Sequence, residues 1–408
     1  MTLHDLSVEE ARRMVLDGAE RLGAETAPLA RALGRTLAAD VAVADDAPPF
    51  DTSSMDGVAV RAADLGEAPV ELPIIETIAA GQTPKLFILP GTCARIFTGA
   101  PLPEGADAVA PVEWTEPVGE SRITLTRVPE VGQFIRRRGS ALTEGEIVLQ
   151  AGQTVTPPAL GLAAAAGHAD VSVARVPRVA VIVTGDEVVH AGATLRQGQV
   201  PDVNGPGLSA QIIAAGGSPI GPYHAGDTPE GLADALDAAA SADVILVAGG
   251  VSMGDHDLVR PVMERRGVTW RFWRVAQRPG KPLAYGVLVG LERSAPILGL
   301  PGNPVSAAVC FEVYARPLIA RLLGRAEAPP PERGILLEKI GTPAGLTTFA
   351  RVIAERDGAG SLRLRSTGAQ DSHVYRSLTE ADGLAVLPAE WGNAPAGSSV
   401  DYLPFAWS

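Results

Sequence analysis

The stretch between residues 177 and 325 constrains this chain most, because apolar runs alternate there with helical patterns. Val179 to Val183 is continuously apolar, as in a parallel strand buried on both faces. Helical patterns follow at about 206–215 and 228–240, then the apolar run Val244 to Val247, a helix near 256–266, further strands, and a helix opening at Pro304. Strand–helix alternation predicts an open α/β sheet. Ligands in such sheets bind beyond the carboxyl ends of the strands. Three turns fall at those ends: Thr184-Gly185-Asp186-Glu187, Gly249-Gly250-Val251-Ser252 and Pro301-Gly302. Core packing alone does not call for glycine and polar residues at all three.

The third turn belongs to a longer pattern. Arg278-Pro279-Gly280-Lys281-Pro282 precedes a short apolar strand, and Leu300-Pro301-Gly302-Asn303-Pro304-Val305-Ser306 then turns into a helix. Pro304 suits the first helical position, where its missing N–H has no partner to lose, and Asn303 before it is placed to cap. Val305, Val309 and Val313 predict one buried stripe, with a kink at Pro317. A helix start directs free N–H groups at an anion, and Arg278 and Lys281 add fixed positive charge. The pattern predicts an oxyanion or phosphate pocket at the carboxyl edge of the sheet.

At 408 residues the chain exceeds one comfortable core, so several domains are expected. Ser7-Val8-Glu9-Glu10 is a capping box rather than a leader, and residues 7 to about 35 carry helical spacing. After the break at Ala47-Pro48-Pro49-Phe50, short β-branched runs such as Ile74 to Ile78 and Ile123 to Val128 predict a β-rich domain to about 139. An Ala-rich helix at 157–166 and a strand at Asp170 to Val173 lead into the α/β region. Beyond the proline-rich linker Pro329-Pro330-Pro331, residues 332–408 read as a small β domain. The 45 glycines and 34 prolines suit so turn-rich a chain.

The net charge of −13, with no basic block, argues against a nucleic-acid or anionic-membrane surface. Arg136-Arg137-Arg138 reads as a small-anion contact or surface charge. Two distant cysteines and six scattered histidines carry neither a disulfide framework nor a zinc pattern. No apolar run approaches the ~20 residues that span a bilayer. The expectation is a cytoplasmic enzyme with no membrane or nucleic-acid partner.

Four further groups carry polar chemistry. Phe50-Asp51-Thr52-Ser53-Ser54-Met55-Asp56-Gly57 packs two carboxylates and three hydroxyls into one segment, either an ordinary Asx-rich turn or a loop lent to a neighbour's active site. Arg95 to Pro101 with Glu104 to Val109 reads by itself as strand and turn. Gly249 to Gly254 lets a phosphate approach backbone N–H groups, although it is not a dinucleotide fingerprint. Glu187, Asp202 and Asp257 lie near strand ends, where carboxylates grouped around a phosphate could hold Mg²⁺; as isolated residues they would be solvated acids.

Set in order, these motifs resemble those of the molybdopterin molybdenumtransferases, the MoeA family that includes the gephyrin E domain. The resemblance runs from Pro49-Phe50-Asp51 and Met55-Asp56-Gly57 through Arg95 to Val109, Arg136 to Gly139, Thr184 to Glu187, Asp202-Val203-Asn204, Gly249 to Asp257 and Arg278 to Pro282 to Leu300 to Ser306. It implies an elongated homodimer of α/β and β domains: a discontinuous domain (1–49 with 140–176), a β-rich domain (50–139), a molybdopterin-binding-like three-layer α/β domain (177–325) and a C-terminal β domain (326–408). It implies insertion of molybdate into adenylylated molybdopterin with release of AMP and with Mg²⁺ present. It also implies a transient contact with the molybdopterin adenylyltransferase that supplies the substrate. By matched position, Asp56, Thr98, Glu187 and Asp202 would be active-site residues, Glu187 and Asp202 doubling as Mg²⁺ ligands. Gly249, Gly250, Ser252, Asp257 and Pro301 would contact the pterin nucleotide. Arg278, Lys281, Ser306, Arg351 and Ser372 would contact molybdate.

The chain departs from the family pattern at Thr52, Ser54, Gly205 and Arg278, and at Ser140 and Ala141, where the family usually carries Glu-Asp. Loss of that acidic pair predicts slow insertion. Two other readings stay open: a paralogue that binds molybdopterin for delivery or nucleotide transfer without inserting metal, and a scaffold working by protein contacts.

Overall fold

A computed structural model describes residues 3–250, 259–289, 294–325 and 330–407. The chain divides into two compact units: Met1–Glu25 with Gly34–Ala38 and Val173–Ser408, and Thr26–Leu33 with Ala39–Ser172.

A seven-stranded sheet organises the first unit, with the strands in the order Leu3–Leu6, Val268–Val275, Ala284–Val289, Ser294–Leu300, Val244–Ala248, Arg178–Thr184 and Ser218–Ala225. The last four run parallel, and Ala284–Val289 is antiparallel to both of its neighbours. Burial alternates with period two. Val179, Val181 and Val183, with Val244 and Leu246, enter one core; Ala180, Ile182, Ile245 and Val247 enter another. The first core is covered by the helices Val8–Leu16, Asn204–Ala214, Pro304–Cys310 and Arg316–Leu322, the second by Pro229–Ala238 and Val259–Arg265. Continuous apolar strands are what such two-sided burial requires. The pairings Thr184 with Ala225, Val183 with Ala248, and Ala248 with Leu300 bring four strands to a common carboxyl edge.

A second sheet of this unit closes on itself. Thr347–Arg356, Leu362–Ser366, Glu332–Leu336, Ser399–Pro404 and Gly383–Leu387 pair in that order, and Gly383–Leu387 returns to Thr347–Arg356. Ala350, Val352, Leu364, Ala385 and Val400 fill the inside, while Phe349, Leu384 and Phe405 join the helix-covered core of the first sheet. Gln277–Arg278 adds parallel to Thr347–Thr348, tying the Arg278 turn to this barrel.

The second unit holds a six-stranded sheet ordered Ala108–Pro111, Gly57–Val60, Cys93–Ile96, Val70–Ile78, Arg122–Leu125 and Thr115–Val118. Its helix Pro157–Ala165 starts as the sequence dictates, with Pro157 in the first turn and the Thr156 hydroxyl accepting from Ala159 N–H.

Several local expectations change. The Ser7–Glu10 capping box forms, but its helix ends at Leu16, and Ala24–Pro28 is a strand. Gly18, at φ +86°, stops the helix where the apolar spacing alone would continue it. Asn303 holds the N-cap position of the Pro304 helix without a side-chain capping bond. That helix is buried on every side rather than along one stripe. The irregularity expected at Pro317 falls just before it, as a π turn at Phe311–Ala315. Pro317 has no N–H to donate one turn back, so the wider turn absorbs the missing bond.

Candidate functional site

Three backbone turns meet at the carboxyl edge of the seven-stranded sheet, and glycine is what lets them meet. Gly249 has φ +102°, and a Cβ on it would stand 2.6 Å from Thr184 Oγ1 and 3.0 Å from Thr184 O. Gly250 has φ +61°, and a Cβ there would overlap Val259 Cγ2. Gly249 N–H donates to Leu300 O at 3.1 Å, and a Cβ on Gly302 would come within 3.6 Å of Gly249 Cα. Gly249 is buried and Gly250 exposed, so the turn presents bare backbone at the surface. Pro301 is buried in the neighbouring turn that holds Gly302. Ser252 and Asp257 lie outside the described residues.

Beside this cradle, Asn204 Nδ2 donates to Gly302 O at 2.8 Å. Asp202 is 5% exposed and both of its oxygens are engaged: Oδ1 accepts from Gly205 N–H at 2.8 Å, and Oδ2 lies 2.9 Å from His224 Nε2. His224 in turn packs edge-on against His190, with ring centroids 4.1 Å apart. A Cβ on Gly205 would overlap Asp202 Oδ2. Gly205 therefore lets the carboxylate close onto the start of its own helix. Glu187 is exposed and folds back over Gly185, where a Cβ would stand 2.7 Å from its Oε1. No group of three or more His, Cys, Asp or Glu side chains among the described residues could hold a metal ion. Asp202 is thus buried with both oxygens engaged inside the protein, and Glu187 is the exposed carboxylate of the expected magnesium pair.

The basic side of the site is built on the barrel and on the Pro304 helix. Arg351, 1% exposed, lies on the strand face that carries Phe349. Its Nε donates to Ser377 Oγ at 3.1 Å and its Nη2 to Ala369 O and Asp371 O at 3.3 Å; no carboxylate pairs with it among the described residues. Burial, and then the nearby charge of Arg278, pull its pKa down to about 10 against the opposing pull of Asp371, so it stays charged at neutral pH. Arg278 and Lys281 are exposed and in no ion pair among the described residues. Ser306 is buried in the first turn of the Pro304 helix, and Val305 N–H donates to Ser372 O at 3.3 Å. Arg278, Lys281, Ser306, Arg351 and Ser372 thus lie in one unit on four segments, joined by the pairing of Arg278 with Thr348 and by the Val305–Ser372 bond.

The second unit places Asp56 at an exposed position where its Oδ1 accepts both Thr98 N–H (2.7 Å) and Thr98 Oγ1–H (2.8 Å). Those two bonds, the backbone one first, hold its pKa below the usual carboxylate value. Gly57 is fixed by the sheet, since a Cβ on it would collide with Ala110 O. Asp51 accepts Arg137 Nη1 at 2.6 Å and Arg138 N–H at 2.8 Å. Asp46 accepts Arg138 Nε at 2.6 Å and Glu144 N–H at 2.9 Å. Arg137 and Arg138 therefore pair with carboxylates instead of waiting for an anion. Ser140 and Ala141 are exposed, with their N–H groups bonded to Arg137 O (3.0 Å) and Ala47 O (2.9 Å).

His224, one of six scattered histidines, carries no local signal in the sequence, yet it lies next to the end of the strand Ser218–Ala225 at the ligand-binding edge. Sequence reasoning also missed Asp46, whose bonds anchor the arginine segment from 92 residues away.

Three family models match the chain: the MoeA N-terminal region (domains I and II) over residues 6–167, a probable molybdopterin binding domain over 180–321, and the MoeA C-terminal region (domain IV) over 333–405. Molybdopterin molybdenumtransferase 2 of Mycobacterium tuberculosis is 38% identical over 405 residues, covering 97% of this chain and 98% of that one. Molybdopterin molybdenumtransferase of Haemophilus influenzae is 35% identical over 387 residues, covering 92% and 93%. Two structures of molybdopterin biosynthesis MoeA proteins from Pyrococcus horikoshii superpose with TM-scores of 0.85 and 0.81, at 32% and 26% identity. Each covers 98% of this chain, and 99% and 100% of the other. Matched end to end in sequence and in fold, the chain belongs to the MoeA family of molybdopterin molybdenumtransferases.

Proposed function

We propose that this chain, a molybdenum-inserting transferase of molybdenum cofactor biosynthesis, takes adenylylated molybdopterin as its acceptor and loads molybdate into the dithiolene as AMP is released. Molybdate is a tetrahedral dianion, and the buried Arg351, in no ion pair among the described residues and beside the charge of Arg278, is the observation that supports a resident oxyanion. A buried charge is costly to leave unpaired, and a guanidinium bonded only to a hydroxyl and two carbonyls, with Asp371 near but not paired to it, fits an anionic ligand. Lys281 supplies a third charge from an exposed loop, and the Ser306 hydroxyl a neutral donor. The Gly249-Gly250 turn receives the pterin nucleotide with backbone N–H groups. Glu187 and Asp202 act on the adenylate, Asp202 held by Gly205 N–H and His224; Asp56 and Thr98 take catalytic roles by their match to the family's positions. Glu187 and Asp202 are the carboxylates that would hold Mg²⁺ together with the substrate's phosphate oxygens.

The enzyme works as a cytoplasmic homodimer, with the adenylyltransferase handing over its product in a transient contact. No helix among the described residues is long and apolar enough to cross a membrane.

The test is direct binding of molybdate, or of tungstate as its mimic. Lys281→Ala should weaken binding by about tenfold or more, as expected for loss of one charge-assisted contact, while the exposed site leaves Tm nearly unchanged. Equal affinity in the variant would sink the assignment. Binding of the pterin nucleotide with no molybdate-dependent AMP release would favour a delivery role instead.

A further inference from the structure

Behind the Arg278–Lys281 loop lies a buried polar chain that the proposed reaction does not use. Gln277 is 0% exposed. Its Nε2 donates to Pro279 O at 3.0 Å and lies 3.4 Å from both Gly280 O and Cys310 Sγ. Its Oε1 accepts from the Tyr314 hydroxyl. Tyr314, 1% exposed, sits in the π turn Phe311–Ala315, and Cys310 ends the regular helix just before it. Burial holds the phenol well above its usual pKa and pushes the thiol to about 12, so both keep their protons as donors. The Cys310 thiol reaches Gly280 O at 3.8 Å. Gly280, at φ +91°, has no room for a side chain: a Cβ would overlap Cys310 Sγ and stand 2.7 Å from Gln277 Nε2.

These contacts fasten the backbone between Arg278 and Lys281 to the π turn. Polar groups in an apolar core are costly unless satisfied, and fully satisfied chains of them fix one arrangement of what they touch. The π turn matters because it displaces the residues after Cys310 from regular helical positions, and π turns often mark functional sites.

We infer that Tyr314 and Gln277 are positioning residues for the oxyanion: through the Pro279 and Gly280 carbonyls they set where Arg278 and Lys281 stand. The inference rests on the reading of Arg278 and Lys281 as molybdate contacts. Neither Gln277 nor Tyr314 touches the ligand.

The same π turn supplies an internal control. Glu312, also buried, accepts from Gln211 Nε2 at 2.8 Å and pairs with Arg316, and it contributes nothing to the loop. Tyr314→Phe, Gln277→Met, the double variant and Glu312→Gln would be compared as full-length proteins by molybdate titration, pterin-nucleotide titration and thermal melting. We expect Tyr314→Phe to weaken molybdate binding by about tenfold, the size of one weakened charge-assisted contact, with pterin-nucleotide affinity within about twofold of the parent. Gln277→Met should match it, and the double variant should be no worse than either single, because both break one chain. Glu312→Gln should lower the melting temperature while leaving molybdate affinity alone. The inference is overturned if Tyr314→Phe binds molybdate normally while Lys281→Ala does not, or if Glu312→Gln weakens molybdate as much as Tyr314→Phe. A normal Lys281→Ala would instead remove the reading beneath it.

Discussion

At the carboxyl edge of the seven-stranded sheet, the positions of Gly249 and Gly250 are fixed by packing; around Asp56 and Ser140 in the other unit, hydrogen bonds hold the backbone and its carboxylates. Gly249 is buried against Thr184, and Gly250 leaves no room beside Val259. By contrast, the Asp46, Asp51 and Asp56 carboxylates reach N–H groups or guanidinium groups across polar surface, each with its pKa lowered. For Asp51 partial burial pushes upward and is outweighed by Arg138 N–H and Arg137. A turn fixed by packing is intolerant of added atoms, whereas a surface held by hydrogen bonds tolerates bulk and responds to charge.

The harshest way to break that contrast is to add atoms to the cradle. Gly250→Val meets both a positive φ and the Val259 side chain. It should lower stability by about 2 kcal/mol or more and reduce pterin-nucleotide binding beyond detection. Denaturant unfolding and nucleotide titration give the two readouts. A variant with parental values in both would show that the turn is looser than its packing requires.

The surface loop should accept what the cradle refuses. Ser140 and Ala141 are exposed, and only their backbone N–H groups are committed. Ser140→Glu with Ala141→Asp should therefore fold like the parent. If the family's acids at this point position the attacking oxygen, the pair should raise molybdate-dependent AMP release by up to about 10²-fold, the size of one preorganised polar group. Parental turnover already typical of an ordinary insertase would mean that another carboxylate fills the role. An inactive but folded variant would favour the non-inserting paralogue.

The same contrast explains what was legible in the sequence. Two-sided burial writes itself as uninterrupted apolar strands, so Val179 to Val183 and Val244 to Val247 announce both the sheet and the edge where ligands bind. Glycines at that edge are informative because only they fit. The helix expected from 7 to about 35 fails because apolar spacing does not register a backbone reversal, and Gly18 ends it after Leu16. Partners distant in the chain leave no local trace. Arg351 lies in a β-pattern that gives no reason for a buried cation, and only the family resemblance singled it out. The bonds of Asp202 to His224 and of Tyr314 to Gln277 depend on strand register and on a π turn, neither of which a periodicity contains.

The gentlest change removes one hydrogen bond from the exposed carboxylate. Asp56 accepts two bonds from Thr98, and the backbone N–H is the stronger cause of its lowered pKa. Thr98→Val keeps that bond and deletes the hydroxyl, so the Asp56 pKa should rise part of the way back toward the ordinary carboxylate value. The sign follows from linkage: a carboxylate whose pKa is depressed by folding stabilises the native state above its unfolded pKa, and that contribution disappears as pH falls through the folded value. The variant should therefore be slightly less stable than the parent near neutral pH. The two should converge in acid, once Asp56 is protonated in both. If Asp56 must be ionised for AMP release, the acid limb of the pH–rate profile should also move upward in the variant. Carboxyl-carbon NMR titration of Asp56 reads the shift directly, and an unmoved titration would mean that the Thr98 backbone N–H alone sets the charge. A shift in the titration with no shift in the rate profile would keep the hydrogen bond but remove Asp56 from the reaction.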